Sequence, residues 1–500
     1  MSGAENLNIL LPEVVLVGTA LLLLVLDGLR PESRGAHFAF VTIVALGVAG
    51  WLSWTQWDQD AVSGLGGMVV ADRFGVFVRW IILLAAGLAT LTAHGHLKPR
   101  GLDRAEFYAL VLLSTSGMTM LSVASDLVMV FLSIELLSLA LYVLAGFDRS
   151  RLEAQEAAMK YFLLGAFASA FLLYGIAYVF GASGTTNLLR LNGIVASSGI
   201  EDFRLMGVAV GLLAVGFGFK AAMVPFHMWT PDAYQGAPTP VTAFMAGGTK
   251  AAAFAALIRT LLGAMEGLRW DWRPPLIALA LLTIIFASIV AVAQTDLKRM
   301  LAYSSIAHAG FIAIGIVAAS RTGIAAVLLY LLVYTAMTIG AFACIMLFRD
   351  GGGERTHLAQ LAGLGSRRPG AAALFALFLF SLAGIPPTGG FFAKFHVFLA
   401  AVKAGYAWLA VVAVVASVVA AFFYVRVAVV MFMQDPADDD EQTGLDRSRG
   451  LRAALAICVA IVLATGVKPD VFLNVAERAV RFAATTPAAD QPLQGPRVAP

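Results

Sequence analysis

The stretch "GFGFKAAMVPFHMWTPDAYQGAPTPV", residues 216–241, decides the fold. It closes an apolar run that begins near residue 204 and sets Lys220, Pro225 and His227 within two helical turns. A proline removes a backbone donor and breaks or kinks a helix. A lysine at a helix centre costs about 2.5–3.5 kcal/mol on insertion scales. In a bilayer, broken helices survive only where they are buried in protein or line a water-filled cavity. The stretch therefore predicts a discontinuous membrane helix whose break faces the interior of a bundle, with Lys220 beside it.

The rest of the chain supplies that bundle. Of its 500 residues 60% are hydrophobic and only 13% charged, and the mean hydropathy is +0.84. A soluble chain carries about 25% charged residues. Apolar runs of the length needed to cross a bilayer, about 20 residues, recur from end to end. They predict an all-α polytopic membrane protein of about fourteen spans, near 9–29, 37–55, 72–94, 105–124, 126–147, 153–182, 204–228, 239–265, 274–293, 299–320, 322–349, 371–400, 405–434 and 451–467. The first run has neither a basic n-region nor a small-residue cleavage site, so it reads as a retained span. The net charge of +3 does not suggest nucleic acid as a partner. Cys344 and Cys458 lie in apolar runs without C-x-x-C spacing and cannot by themselves hold a cluster or a zinc ion. No nucleotide fingerprint is present, and "GGTK" at 247–250 does not fit a phosphate-binding loop.

Lys and Arg in short loops set orientation. Loop 1–2 carries Arg30 and Arg34, and loop 3–4 carries Lys98, Arg100 and Arg104. Loop 5–6 carries Arg149 and Arg151, and loop 9–10 carries Lys298 and Arg299. Loop 11–12 carries Arg349, Arg355, Arg367 and Arg368, and loop 13–14 carries Arg447 and Arg449. The odd loops are thus expected in the cytoplasm and both termini outside. Loop 7–8 has no basic residue and is expected to fold back into the protein. The chain divides into residues 1–100 (spans 1–3), 101–265 (a first five-helix unit) and 266–434 (a second). Residues 435–500 hold an acidic loop, span 14 and an irregular tail "TTPAADQPLQGPRVAP".

Few charged residues sit within the apolar runs, and each needs a reason. Glu135, in "VMVFLSIELLSLALYVL", is too deep to reach the interface and needs either a proton or a cationic partner. Lys160 lies about two turns inside span 6, where it either snorkels or serves the interior. Lys250 follows Gly247-Gly248 in span 8, a pair that allows close helix approach or local unwinding. His308 lies beside Ser304 and Ser305, either as a hydrogen-bonded core residue or as a proton relay. Lys298 is either interfacial or buried, and His227 either carries protons or caps the break. Lys394 follows Pro386-Pro387 and Gly389-Gly390, which must interrupt span 12. If spans 4–8 and 9–13 are repeats, Lys220 and Lys394 both lie in the fourth helix of their unit. Five being odd, the second unit is inverted.

Buried ionisable residues without oxygen cages suit proton transfer. Burying a lysine disfavours its charged form, and a nearby carboxylate restores it, so moving the partner switches proton affinity. The energy must come from an ion gradient or from partner subunits.

"SIELLSLALYVL", "MKYFLLGAFASAFLLYGIAYVFGASGT", "FKAAMVPFHMWTPDAYQGAPTPVTAFMAGGTKAA", "TDLKRMLAYSSIAHAGF" and "LAGIPPTGGFFAKF" together resemble the antiporter-like membrane subunits of respiratory NADH:quinone oxidoreductase, complex I, over roughly residues 100–430. Within that family the chain looks most like the N-type. The resemblance implies fourteen spans with two inverted five-helix repeats and broken spans 7 and 12. It implies proton translocation in a bacterial inner membrane, with Glu135, Lys220, Lys250 and Lys394 transferring protons and Lys160, Lys298 and His308 on the same polar axis. NADH, FMN, iron–sulfur clusters and quinone would be bound by partner subunits, neighbouring antiporter-like and small membrane-arm subunits among the contacts, with lipids around. The alternatives are an Mrp-type cation/proton antiporter, a membrane-bound hydrogenase subunit, or a structural spacer of the membrane arm.

Overall fold

The computed structural model describes residues 3–29, 35–200, 202–350, 353–435, 444–445 and 448–480. Thirteen of its helices are long and apolar enough to cross a membrane. The fourteenth crossing is split into Pro369–Ala383 and Gly389–Lys403. This is the all-α, fourteen-span architecture that the sequence predicts, with spans 4–8 and 9–13 running in opposite senses. Helix starts follow local chemistry. Asp72, Asp126, Asp202 and Asp296 each accept a hydrogen bond from a backbone N–H of the first turn, satisfying donors that have no partner within the helix.

Two spans form the axis of the bundle. Thr239–Ala264 (span 8) and Leu297–Val317 (span 10) are buried around their whole circumference, and Arg321–Leu347 (span 11) almost so. A helix that is apolar all round belongs at the centre, and these carry Lys250, Lys298 and His308. Spans 5, 6 and 13 instead present rows of exposed residues such as Leu132, Leu136 and Leu139, or Val411, Val415 and Val418. That is the composition expected of a face turned to lipid or to another apolar helix.

Span 7 is interrupted, as its sequence predicts. Its first half, Phe203–Ala221, stops before the proline, and a second half begins at Trp229 and ends at Gly236. Ala222 takes a left-handed conformation with φ of 60°, and Met223 N–H closes back on the Gly218 carbonyl at 2.8 Å, a helix ending of the Schellman kind. Pro225 and His227 therefore lie in the connection and not inside a helix. Two helices lie outside the spans that the sequence predicts, and the tail expected to be irregular, residues 485–500, lies outside the described residues. Leu188–Ala196 is capped by Asn187. Pro469–Ala479 follows span 14, with Pro469 and Asp470 in the positions that favour an N-terminus. It rests on spans 3 and 11. The acidic residues after Asp435, the last twenty residues, and Arg30, Arg34 and Arg447 lie outside the described residues.

The odd loops share one face. Arg100, Arg151, Asp232, Lys298, Arg299 and Glu354, from five successive odd connections, line a single cleft of about 750 Å³. Loop 7–8 folds in as expected. Its missing basic charge is supplied by neighbours, because Asp232 accepts from both Lys160 and Arg299 at 2.7 Å.

Candidate functional site: a buried chain of ionisable residues

The two broken spans create the first two stations. Lys220 occupies the last turn of the first half of span 7, at the negative end of that helix. Its Nζ donates to Ser138 Oγ at 2.6 Å and lies 5.4–5.6 Å from the ring centres of Phe219, Tyr142 and Tyr161. The break itself is satisfied from outside the helix. Val224 N–H donates to Thr283 Oγ1 at 3.0 Å, and Trp229 Nε1 returns to the Phe219 carbonyl at 3.0 Å.

Lys394 follows its break, and its side chain reaches backwards. Nζ donates to the carbonyl of Ala383, the last residue of the first half of span 12, at 2.9 Å, and to Ser417 Oγ at 2.8 Å. Both ammonium groups therefore belong to the carbonyl end of a first half-helix, although one precedes and the other follows its prolines in sequence. Phe311 covers Lys394 at 4.9 Å.

Span 8 widens to π geometry over Met245–Thr249, immediately before Lys250. Such widenings occur often at functional sites. A Cβ at Gly248 would stand 2.9 Å from Met118 Sδ and one at Gly247 3.1 Å from Thr335, so the glycine pair allows both close approach and the local change of winding. Lys250 Nζ donates to the Ser305 carbonyl and lies 5.4 Å from the Tyr334 ring.

Span 10 connects the lysines. Ser304, Ser305, His308 and Phe311 recur at helical spacing on one side of it. Tyr334 donates to Ser305 Oγ at 2.8 Å, and Tyr330 bonds His308 Nδ1 at 2.7 Å. Tyr424 lies 3.4 Å from His308 Nε2 and also bonds Ser304. Lys250, Ser305, Tyr334, His308, Tyr424, Phe311 and Lys394 thus form a succession of adjoining groups drawn from spans 8, 10, 11, 12 and 13. Aromatic contacts lead in from Lys220: Tyr161 stacks on Trp229 at 4.4 Å, and Trp229 meets Tyr234 at 6.1 Å.

Residues 124–420 match the family described as "NADH:quinone oxidoreductase/Mrp antiporter, TM". The chain belongs to that family. A relative from Trichlorobacter lovleyi named "NADH-quinone oxidoreductase subunit N" is 41% identical over 477 residues, 95% of this chain and 97% of the relative. A chain of respiratory complex I from Thermus thermophilus with bound aureothin is 34% identical, with a TM-score of 0.78 over 93% of this chain and 99% of that one. A chain of the Mrp complex from Dietzia sp. DQ12-45-1b shares the fold, with a TM-score of 0.83 at 23% identity over 96% and 97% of the two chains.

In this family member the residues singled out by sequence fall into three groups. Lys250, His308 and Lys394 come together as described. Glu135 and Lys220 do not form an ion pair: Glu135 accepts from Ser169 on span 6, and Lys220 turns to Ser138. Ser138 is one turn along the same helix as Glu135, so the carboxylate acts on the ammonium through space. Lys160 is not buried. Its side chain is 44% exposed and pairs with Glu156 and Asp232 at the cleft. Lys298 is buried, with Nζ on the Ala237 carbonyl at 2.7 Å. His227 packs edge-on against Phe286 at 5.0 Å, with Nδ1 unpartnered.

Sequence reasoning missed the tyrosines Tyr330, Tyr334 and Tyr424, and two buried ion pairs. Arg259 grips Asp72 at 2.6 and 3.0 Å, and Arg79 grips Glu13 at 2.9 Å. The cost of burying Arg259 near the end of span 8 was a signal that could have found the first of these.

Proposed function

We propose that this chain is a proton-translocating membrane-arm subunit of an NADH:quinone oxidoreductase, coupling electron transfer elsewhere in the complex to proton movement across a bacterial inner membrane. The observation that carries this reading is the buried succession from Lys250 through Ser305, Tyr334 and His308 toward Lys394, groups that hold or pass protons, with the Phe311 ring between His308 and Lys394. Near-full-length identity to a relative named subunit N supports the choice of complex. Glu135, Lys220, Lys250 and Lys394 transfer protons; His308 relays between the last two. Lys298, Lys160 and His227 serve entry and the span 7 break.

The chemistry follows from the contacts. The ammonium groups of Lys220, Lys250 and Lys394 are held by neutral oxygens and aromatic faces in place of a directly paired carboxylate, so each can lose its proton without breaking an ion pair. Histidine and tyrosine hydroxyls both donate and accept, which lets a proton arrive at one atom as another leaves. The charge of Glu135 is the adjustable element at Lys220. Residues 101–265 and 266–434 act as two inverted units, each with one broken helix. NADH, FMN, iron–sulfur clusters and quinone are bound by partner subunits of complex I. The odd loops face the cytoplasm, and both termini lie on the periplasmic side.

A cation/proton antiporter is the alternative reading, and the near-full-length relatives named subunit N do not favour it. Affinity purification from native membranes and reconstitution of the chain alone separate the two. The proposed function expects co-purification with flavin- and iron–sulfur-containing subunits and no Na⁺- or Li⁺-dependent transport by the isolated chain. Cation-dependent transport without those partners supports the antiporter and contradicts the proposal.

A further inference from the structure

The cleft on the basic face leads to a second cluster of ionisable groups that the proton axis does not use. Loop 11–12 is pinned against loop 9–10: Leu297 N–H bonds the Thr356 carbonyl at 2.6 Å, and Leu358 N–H bonds that of Thr295 at 2.9 Å. This delivers Glu354 inward, where its side chain is only 5% exposed. Oε2 accepts from Thr239 Oγ1 at 2.7 Å, while Oε1 stands 3.3 Å from Nδ1 of His96. His96, in the last turn of span 3, is 1% exposed. Its Nε2 lies 2.6 Å from Arg100 Nη1.

That last contact fixes the state of the ring. A guanidinium can only donate, so Nε2 presents its lone pair, and the imidazole is neutral with its hydrogen on Nδ1, facing Glu354. A proton arriving at Nε2 must first displace Arg100, which lines the cleft. The imidazolium so formed would face a buried carboxylate. Lys298 shares the surroundings. It binds the Ala237 carbonyl two residues before Thr239, lines the same cleft, and is within electrostatic reach of Glu354. Arg151 and Asp296 also act on Lys298, and Asp148, Glu153, Glu156, Asp232 and Arg299 line the cleft with it. Arg355 turns away to the Gln360 carbonyl at 3.0 Å.

We infer that His96 is a proton-accepting residue at the cleft, with Glu354 a positioning residue that stabilises its charged form and Arg100 the group that must move to admit the proton. The step is a simple transfer: an O–H bond of a water or hydronium in the cleft breaks, an Nε2–H bond forms, and Nδ1–H is retained toward Glu354. Release breaks the Nε2–H bond and returns the proton to water in the cleft, from which a neutral Lys298, lining the same cleft, can take it on Nζ. The assignment rests on the proposed function, since it needs a proton path to feed.

The test uses the whole complex in inverted membrane vesicles, with NADH-driven proton pumping measured per NADH oxidised from pH 6 to 9 and NADH:ferricyanide activity as the measure of assembly. His96→Gln and Glu354→Gln are expected to lower pumping at least twofold at unchanged ferricyanide activity, with His96→Gln also flattening the pH profile. An assembled His96→Gln complex that pumps at the unaltered ratio with an unaltered profile overturns the assignment. If His96→Gln fails to assemble, Arg100→Ala decides. It leaves the pair in place and predicts a displaced pH profile, whereas an unmoved profile overturns the inference. Lys250→Met is run in parallel. Loss of pumping there with no effect at His96 removes only the present inference, while normal pumping in Lys250→Met removes the proposed function itself.

Discussion

At the scale of the residue, Lys220, Lys250 and Lys394 are each anchored by an oxygen and an aromatic face and not by a carboxylate. A hydrogen bond from a charged donor contributes about 1.5–3 kcal/mol, so losing one should be felt without collapse of the fold. Ser138→Ala removes the hydroxyl that holds Lys220. It is expected to reduce proton pumping several-fold with assembly intact, and pumping equal to the unaltered complex would show that Ser138 is not the anchor. Glu354 gives a dependence on pH. Burial alone would raise its carboxyl, but His96 when it carries the proton, together with Lys298 and Arg100, outweighs that and holds it below the ordinary carboxylate range. A depressed folded value means that the ionised carboxylate adds stability above the unfolded value near 4.3, and that this is lost as pH falls through the folded one. The difference in unfolding temperature between the unaltered complex and Glu354→Gln should therefore be largest above about pH 5 and shrink toward pH 3; a constant difference would contradict the ion cluster. Lys220, Lys250, Lys394 and His308 were legible because charge in an apolar run is expensive. Tyr330, Tyr334 and Tyr424 were not, because a tyrosine in such a run is indistinguishable from core. His96 and Glu354 lie at segment ends, where polar residues are ordinary.

At the scale of the element, the breaks in spans 7 and 12 perform the same task by different local means. The prolines and glycines announced both, but the sequence order of Lys220 and Lys394 concealed that both side chains converge on the end of a first half-helix. Only the backward reach of Lys394 to Ala383 makes them equivalent. Gly390 is required for that geometry, since a Cβ there would run into the Ser381 carbonyl, whereas Gly370 has open space. Gly390→Ala is expected to sharply reduce the amount of complex in the membrane, and Gly370→Ala to leave it unchanged. Equal abundance of the two variants would show that the tight turn into the second half of span 12 is not needed. The helices at Leu188–Ala196 and Pro469–Ala479 escaped the sequence reading because each is short and lies outside any apolar run of spanning length.

At the scale of the whole molecule, the distribution of Lys and Arg predicts one side for the odd loops, and residues of loops 3–4, 5–6, 9–10 and 11–12 do line one cleft. Its orientation is testable. A cysteine at Ser150, in the cleft, should react with an impermeant maleimide only from the cytoplasmic side, and one at Asp470 only from the periplasmic side. The reverse pattern would invert the topology; the native thiols Cys344 and Cys458 are buried and should stay silent. The central claim is that the buried succession through spans 8, 10 and 12 carries protons. The most direct measurement is the ratio of protons pumped to NADH oxidised in vesicles carrying Lys250→Met, with NADH:ferricyanide activity to show that the complex is assembled. The account predicts a ratio at least twofold below that of the unaltered complex at equal ferricyanide activity, and an undiminished ratio would contradict it.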